Sequence, residues 1–303
     1  MPDSLHVLRR TRLYMDTVVD IQAVHDDSLS LQEAELHIQQ AFEMFRQVEL
    51  ACSRFDADSE LSIACRCIQQ PVPLSPYLFE PLRFAIQLAE ATEGLFDPCI
   101  GSTLIKQGFD RHYLTGERMA ADSVNTSATY RDLILDEADR TLYIHQPLLV
   151  DLGAAAKGFA IDLAARQLQN LHGFLVNAGG DLYAGGRDHR DQPWAAGIQH
   201  PEIADELIHL CLLEDEALCT SGSYERRSRN IPGNHHIIRP DTMRSPQDLV
   251  SISLKAPYAM MADAFSTAAF LYGPDKGAAW IEAMGLTALF VTGQLDIINI
   301  GGF

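Results

Sequence analysis

The chain has 303 residues, of which 47% are hydrophobic and 21% charged, a balance that is typical of a globular protein and excludes wholesale disorder. Asp and Glu number 41 and Lys and Arg number 23, so the formal net charge is −18. Because a strongly acidic surface repels phosphate groups, this charge argues against nucleic acids and anionic membranes as partners.

The N-terminal segment does not have the pattern of a secretory signal. It lacks an apolar core and a cleavage site, and no run of about 18 apolar residues occurs in the sequence. We therefore expect a cytoplasmic protein without a membrane span. The six cysteines form no C-x-x-C pair, which predicts buried or inert thiols in a reducing compartment. No pattern indicates an oligomeric state.

The first part of the chain is predicted to be one strand followed by two helices. Residues 11–24 are rich in β-branched and aromatic side chains, which favours a strand. Apolar side chains three or four positions apart predict a helix over residues 30–51. A second helix is predicted from Pro76 to Thr92, because proline is favoured at a helix start and Glu93-Gly94 follows its end.

The rest of the chain is predicted to alternate short strands with helices. Residues 141–152 favour a strand that enters a turn, and residues 155–171 a helix. Residues 260–285 favour two helices that break at Gly273-Pro274. Predicted strands cover residues 174–178, 181–185, 194–199, 208–214, 217–222, 235–239 and 250–255, with 287–293 and 295–302 as a closing hairpin-like pair. Helices ahead of a run of strands indicate an α+β protein with a largely antiparallel sheet.

The segment 151–158 joins a predicted strand to a helix through small residues. Small side chains let a ligand approach the backbone, and the free N–H groups of a helix start favour an anion. Lys157 adds a positive charge at the same place. A plain turn, with Asp151 as helix N-cap and a solvated Lys157, explains the same residues, and the spacing alone favours it.

Asp263 and Thr267 are four residues apart on a predicted helix and therefore share a face. One carboxylate and one hydroxyl suit Mg²⁺, which commonly takes one or two carboxylates and completes its shell with water and substrate phosphates. The structural alternative is Asp263 as an N-cap with a Thr hydroxyl bonded back to the helix.

Two further segments could bind a ligand. Gly179-Gly180 follows an apolar strand and either admits a ligand against the backbone or forms a turn. Residues 220–245 carry five arginines and the pair His235-His236, which favours either a phosphate site or a solvated loop.

Eight blocks in chain order carry a family resemblance. They are Met15-Asp16-Thr17, FDADSEL (55–61), TEGLFDP (92–98), DLGAAAKG (151–158), NAGGD (177–181), TSGSY (220–224), HIIRP (236–240) and ADAFST (262–267). Over about residues 11–300 the chain resembles the ApbE family of FAD:protein FMN transferases. The resemblance implies an α+β fold of largely antiparallel sheets with flanking helices in a two-lobed, T-fold-like architecture. It also implies a single domain over residues 1–303, of which residues 1–10 do not conform to the family pattern.

The resemblance implies an enzyme that depends on Mg²⁺ and binds FAD. It would split the diphosphate, move FMN to a Thr hydroxyl of an acceptor flavoprotein and release AMP. The residues in the positions of FAD contacts are Met15, Phe55, Leu95, Phe96, Asp97, Asp151, Lys157 and Ile238. The implied metal ligands are Asp263, Thr267 and the carbonyl of Ala154, with Ser266 nearby. Asp263 and His236 are the implied catalytic residues, with His236 as the base or as the group that orients the nucleophile.

The chain departs from the family pattern at several positions. Asp16 and Met243 replace glycines, Ser223 and Arg239 replace aspartates, and Cys65 replaces an asparagine. We expect Arg239, next to the implied base, to attract phosphate and to lower the pKa of His236. Because of these departures, two alternatives stay open: a Mg²⁺-dependent FAD pyrophosphatase that yields FMN and AMP, and a non-catalytic FAD-binding protein.

Overall fold

The computed structural model describes residues 5–111, 116, 127–203 and 205–303. Its helices are α1 Leu31–Cys52, α2 Glu60–Arg66, α3 Pro76–Ala91, α4 Gly101–Lys106, α5 Ala156–Leu168, α6 Ala259–Tyr272 and α7 Pro274–Ala283. Its strands are β1 His6–Tyr14, β2 Thr17–His25, β3 Val72–Pro73, β4 Leu133–Asp136, β5 Thr141–Ile144, β6 Gly173–Ala178, β7 Asp181–Gly186, β8 Trp194–Gln199, β9 Leu207–Leu213, β10 Glu216–Gly222, β11 Leu249–Ala256, β12 Thr287–Thr292 and β13 Ile297–Ile300.

Eight of these strands form one sheet in the order β1-β2-β6-β7-β10-β11-β12-β13. Every neighbouring pair in it is antiparallel. Two smaller antiparallel sheets contain β3-β5-β4 and β8-β9. The prediction of an α+β protein with a largely antiparallel sheet is therefore confirmed.

Helices α1, α5 and α6 build the main core against this sheet. Helix α1 packs on α5, α5 packs on α6, and α6 lies on β10 and β11. Helix α1 begins at Ser30, whose hydroxyl accepts the N–H of Glu33 while the Glu33 carboxylate accepts the N–H of Ser30. Its apolar face then buries Phe42 and Phe45, each of which contributes roughly 1.5–3 kcal/mol by leaving water.

The N-terminal strand prediction is wrong in one respect, because residues 11–24 form a hairpin rather than a single strand. Strand β1 pairs with β2 from His6↔His25 to Tyr14↔Thr17. Met15 and Asp16 form the two-residue turn with φ values of 51° and 60°. Such turns usually carry Asn-Gly or Asp-Gly, and Met15-Asp16 is neither, so this turn could not be predicted from its residues.

The segment 235–239 is not a strand. It is held by single bridges, Arg227↔His235 and Arg239↔Arg244, while Ile237 and Ile238 are buried. The apolar residues that suggested a strand are therefore present because the segment is buried, and not because it pairs in a sheet. The predicted strand over 141–152 ends at Ile144, and the short helices α2 and α4 were not predicted.

The other helix predictions agree with the structure to within a few residues, and the closing strands β12 and β13 pair as expected. All six cysteines are unpaired thiols and five are buried. Burial raises the pKa of Cys65 to about 11, which fits an inert thiol. Among the described residues, no helix has both the length and the apolar character needed to cross a bilayer.

Candidate active site

A cleft of about 530 Å³ lies where the ends of the central strands meet α1, α5 and α6. All eight sequence blocks contribute to its lining. The contributing residues are Met15, Asp16, Thr17, Phe55, Phe96, Asp97, Pro98, Asp151, Leu152, Gly153, Ala154, Ala156, Lys157, Ala178, Gly179, Asp181, Thr220, Ser221, Gly222, His236, Ile237, Ile238, Asp263 and Thr267. Segments up to 250 residues apart in sequence thus converge on one cavity.

Lys157 is half-buried in this cleft between two carboxylates. Its ammonium forms an ion pair with Asp181 and lies 3.4 Å from Oδ2 of Asp263. Oδ1 of Asp181 accepts the backbone N–H of Thr220 at 2.8 Å. The alternative of a solvated Lys157 is therefore wrong, because β7, α5 and α6 together hold its charge.

The start of α5 is tied directly to α6. The backbone N–H of Gly158 donates to Oδ2 of Asp263 at 3.2 Å. A Cβ on Gly158 would lie 2.4 Å from the carbonyl oxygen of Ala259, so only glycine permits this approach of the two helices. The close contact brings Asp263 to the small-residue turn at 151–158.

Asp162 is a residue that the sequence reasoning missed. Its carboxylate accepts the N–H groups of Ala259 and Met260 at 2.7 and 3.0 Å, at the N-terminus of α6. Burial raises the pKa of Asp162 to about 6, although the two hydrogen bonds act to lower it. The four-residue spacing from Gly158 to Asp162 places both on the face of α5 that meets α6, which is the one signal the sequence contained.

Asp263 is not an N-cap, since α6 begins at Ala259 and its N-cap is Tyr258. Thr267 lines the cleft with Asp263, as the shared helix face predicted. Ser266 is fully buried behind this wall and is not part of the lining. Its Oγ donates to the carbonyl of Asp263 at 2.8 Å, and Oγ of Ser221 lies 2.8 Å from Ser266 Oγ and 2.9 Å from Thr267 Oγ1.

Asp151 is likewise not a helix cap, because Ala155 occupies the N-cap of α5. The Asp151 carboxylate pairs with the buried guanidinium of Arg54 and accepts the N–H of Gly153 at 2.8 Å. Arg54 also stacks 4.1 Å from the ring centre of Phe55. Ala154 lines the cleft beside this pair.

Most of the residues in FAD-contact positions reach the cleft. Met15, Phe55, Phe96, Asp97, Asp151, Lys157 and Ile238 line it. Leu95 does not, and instead lines a second, more polar cavity of about 830 Å³ together with Arg239. The carboxylate of Asp97 accepts the N–H groups of Cys99 and Tyr130 at 2.8 and 3.1 Å, so its oxygens are engaged by the backbone.

His236 lies in the wall of the cleft as a neutral imidazole. Its backbone N–H donates to the carbonyl of Arg226 at 3.1 Å, and its Nδ1 is buried with no hydrogen-bond partner among the described residues. Burial, then the charges of Arg226 and His235, lower its pKa to about 3. The expectation that Arg239 lowers this pKa is wrong, because the Arg239 guanidinium binds Asp241 and the carbonyl of Leu271 on the side of the second cavity.

Two departures from the family pattern occupy left-handed backbone positions, and one of them, Asp16, lines the cleft. Asp16 and Met243 replace glycines and have φ values of 60° and 54°, so both keep the left-handed backbone that glycine favours. The hydroxyl of Ser223 donates to the carbonyl of Val250 at 3.2 Å, and Ser223 is not part of the cleft lining.

The charges of the cleft suit a cation. Its lining carries seven Asp and Glu side chains against three Lys and Arg side chains. No group of three or more His, Cys, Asp or Glu side chains in the described part of the chain could hold a metal alone. The carboxylate of Asp263, the hydroxyl of Thr267 and the backbone of Ala154 are hard oxygen donors, and such a sparse set fits Mg²⁺ completed by phosphate oxygens.

Two proteins named FAD:protein FMN transferase match most of this chain in sequence, and a solved ApbE structure matches its fold. A Treponema pallidum protein named FAD:protein FMN transferase is 31% identical over 283 residues, covering 85% of this chain and 78% of that protein. A Haemophilus influenzae protein of the same name is 27% identical over 294 residues, covering 91% and 84%. The crystal structure of the ApbE protein from Thermotoga maritima superposes with a TM-score of 0.85 at 25% identity, covering 97% of each chain.

These relatives and the cleft define the chain as an enzyme with an α+β fold. The ApbE family profile matches residues 15–290, and the chain belongs to the ApbE family.

Proposed function

We propose that this chain transfers the FMN moiety of FAD to a Thr hydroxyl of an acceptor flavoprotein, with release of AMP, in a reaction that depends on Mg²⁺. The observation that carries the proposal is the convergence of all eight family blocks on one cleft. Relatives that match most of this chain are named for the same transfer.

The charge of the cleft supports the need for a metal ion. A diphosphate would meet more carboxylates than cationic side chains here, and Coulomb repulsion would oppose its binding. Asp263, Thr267 and the carbonyl of Ala154 would hold Mg²⁺. The bound ion would neutralise charge on the diphosphate and on the departing AMP, a contribution of several kcal/mol in such sites.

His236 would accept the proton of the acceptor hydroxyl. The Thr oxygen forms a bond to the phosphorus of the FMN moiety, the bond to the bridging oxygen breaks, and AMP leaves with the electron pair. The low pKa keeps the imidazole of His236 neutral at physiological pH, so that a ring nitrogen can accept a hydrogen bond from the hydroxyl. Because a pKa of about 3 also makes the imidazole a weak base, His236 would chiefly orient the hydroxyl and would take its proton only as the bond to phosphorus forms.

The flavin would occupy the apolar part of the cleft. Met15, Phe55 and Phe96 provide that surface, and Ile238 adds to it. The guanidinium of Arg54 stacks on the Phe55 ring and restrains its position. Aromatic and aliphatic walls with a few polar groups are the usual lining of cofactor sites.

The test uses purified protein, FAD and a flavoprotein from the same organism as acceptor, with Mg²⁺ or with a chelator. We expect covalent flavin fluorescence on the acceptor in a denaturing gel and an equimolar amount of AMP, both only with Mg²⁺. Release of AMP and free FMN without acceptor would identify a pyrophosphatase instead. FAD that is bound and stays intact would identify a binding protein.

A further inference from the structure

Gln107 is a buried side chain at the C-terminal end of α4 that does not line the cleft. Its Nε2 donates to the carbonyl of Met243 at 2.8 Å, and its Oε1 accepts from Nδ2 of Asn234 at 2.9 Å. Its backbone carbonyl accepts the hydroxyl of Ser228 at 2.6 Å. One residue thus contacts a single loop at three points.

That loop, residues 226–244, carries His236. Ser228 and Asn234 precede the histidine and Met243 follows it, so Gln107 holds the loop on both sides of His236 in sequence. The loop contains no strand, and its internal backbone bonds are few: they include Ser228 N–H to the carbonyl of Asn234 and His236 N–H to the carbonyl of Arg226. Its position therefore depends on bonds to other parts of the molecule.

Helix α4 is a suitable anchor because its own residues reach the cleft. Leu104 lines the cavity, as do Ile100 before the helix and Phe109 after it. Two further contacts join this segment to the loop: Asn230 Nδ2 donates to the carbonyl of Lys106 at 2.9 Å, and Thr103 Oγ1 donates to the Met243 sulfur at 3.3 Å. Of the residues that join α4 to the loop, Gln107 is buried and makes the most hydrogen bonds.

We propose that Gln107 is a positioning residue that fixes His236 against the cleft, an inference that rests on the proposed function. An amide is needed because it donates to Met243 and accepts from Asn234 at the same time. Displacement of a reacting group by about 1 Å can reduce turnover by about 10²-fold, so a residue outside the cleft can control the rate.

The experiment compares Gln107→Met, which keeps the side-chain length but removes both hydrogen bonds of the amide, with Gln70→Met at an exposed glutamine outside the loop and the cleft. For Gln107→Met we expect kcat for AMP release to fall by about 10²-fold while the Kd for FAD changes by less than about threefold. Gln70→Met should match the wild type in both constants. Gln107→Glu retains the acceptor for Asn234, so its kcat for AMP release should lie between those of the two other variants.

A double-mutant cycle separates positioning from general loss of structure. If Gln107 acts through His236, Gln107→Met should cause no further loss in a His236→Ala background. The same 10²-fold loss in both backgrounds, or no loss in the single variant, would overturn the inference.

A readout independent of turnover distinguishes failure of this inference from failure of the proposed function. Amide hydrogen exchange in peptides from residues 226–244 should accelerate in Gln107→Met and not in Gln70→Met. Unchanged exchange would refute the positioning role even if the wild type processes FAD. A wild type that releases no AMP refutes the proposed function, and the exchange result still decides whether Gln107 fixes the loop.

Discussion

The backbone N–H of Gly158 donates to Oδ2 of Asp263 at 3.2 Å, across two helices that are 105 residues apart in sequence. Lys157 approaches the same oxygen to 3.4 Å. A cation bound at Asp263 would therefore share that oxygen with the N–H group or displace the ammonium toward Asp181. The relationship couples the start of α5 to the proposed metal position on α6.

Loss of the Asp263 carboxylate is expected to abolish Mg²⁺-dependent turnover. Asp263→Ala should lower the rate of AMP release by about 10³-fold, because the several kcal/mol attributed to the metal are lost. AMP release is measured over a Mg²⁺ titration, with thermal melting to show that the fold persists. Asp275→Ala, in the first turn of α7, serves as the control. Full activity of Asp263→Ala would remove the metal assignment.

His236 should stay neutral far below the usual pKa of histidine. Its pKa of about 3 in the folded protein predicts that its imidazole nitrogens show no protonation by ¹⁵N NMR at pH 5. Since the unfolded chain has the higher pKa, near 6.5, unfolded protein binds more protons between about pH 3 and 6.5. The contribution of His236 to stability is thus complete above pH 6.5 and declines as the pH falls through that window.

His236→Gln removes this proton-linked effect. The free energy of unfolding, measured in urea, should therefore decrease more between pH 7 and pH 5 for the wild type than for His236→Gln. An imidazole that titrates near pH 6.5 in the folded protein would contradict the burial that the structure assigns to it.

The sequence predicted the elements whose signals are local. The apolar period fixed α1 and α5, and Gly273-Pro274 marked the break between α6 and α7. The small-residue turn and the shared face of Asp263 and Thr267 were also visible, because each depends on neighbours within one turn.

Contacts between distant segments could not be predicted from the residues alone. Nothing local to Lys157 indicates that its ammonium meets Asp181 and Asp263 rather than solvent. The bonds from Gln107 to the His236 loop likewise join residues more than 100 positions apart. The family blocks indicated that such segments converge, but the partner of each side chain depends on packing.

Asp16 occupies a left-handed backbone position that glycine fills without strain. Asp16→Gly should raise the free energy of unfolding by about 0.5–1 kcal/mol, since the strain of a φ of 60° is larger than the added entropy of the unfolded glycine. Asp16→Ala keeps the strain and should not stabilise the protein. The free energies of unfolding of the three proteins are compared in urea. A lower value for Asp16→Gly than for the wild type would show that the Asp16 side chain stabilises the fold by more than the backbone strain destabilises it.

Asp162 should make stability depend on pH in the opposite sense to His236. Its pKa of about 6 lies above the unfolded value of about 3.9, so the folded protein binds more protons between pH 4 and 6. Lowering the pH from 7 to 4.5 should stabilise the wild type by about 1–3 kcal/mol relative to Asp162→Asn, which does not titrate. Urea unfolding at both pH values measures this difference. Parallel pH profiles for the two proteins would show that Asp162 does not titrate in this range.

Gly158 sets the distance between α5 and α6, and a methyl group there should disturb both stability and chemistry. In Gly158→Ala the Cβ would lie 2.4 Å from a carbonyl of the α6 backbone, so the helices must separate at a cost of about 1–3 kcal/mol. Their separation would also stretch the bond from Gly158 to Asp263 and lower Mg²⁺-dependent AMP release. Arg166→Ala, on the exposed side of α5, should change stability by less than about 0.5 kcal/mol. If Gly158→Ala had the same melting temperature as the wild type and kept full turnover, the close approach of the two helices would not be what positions Asp263.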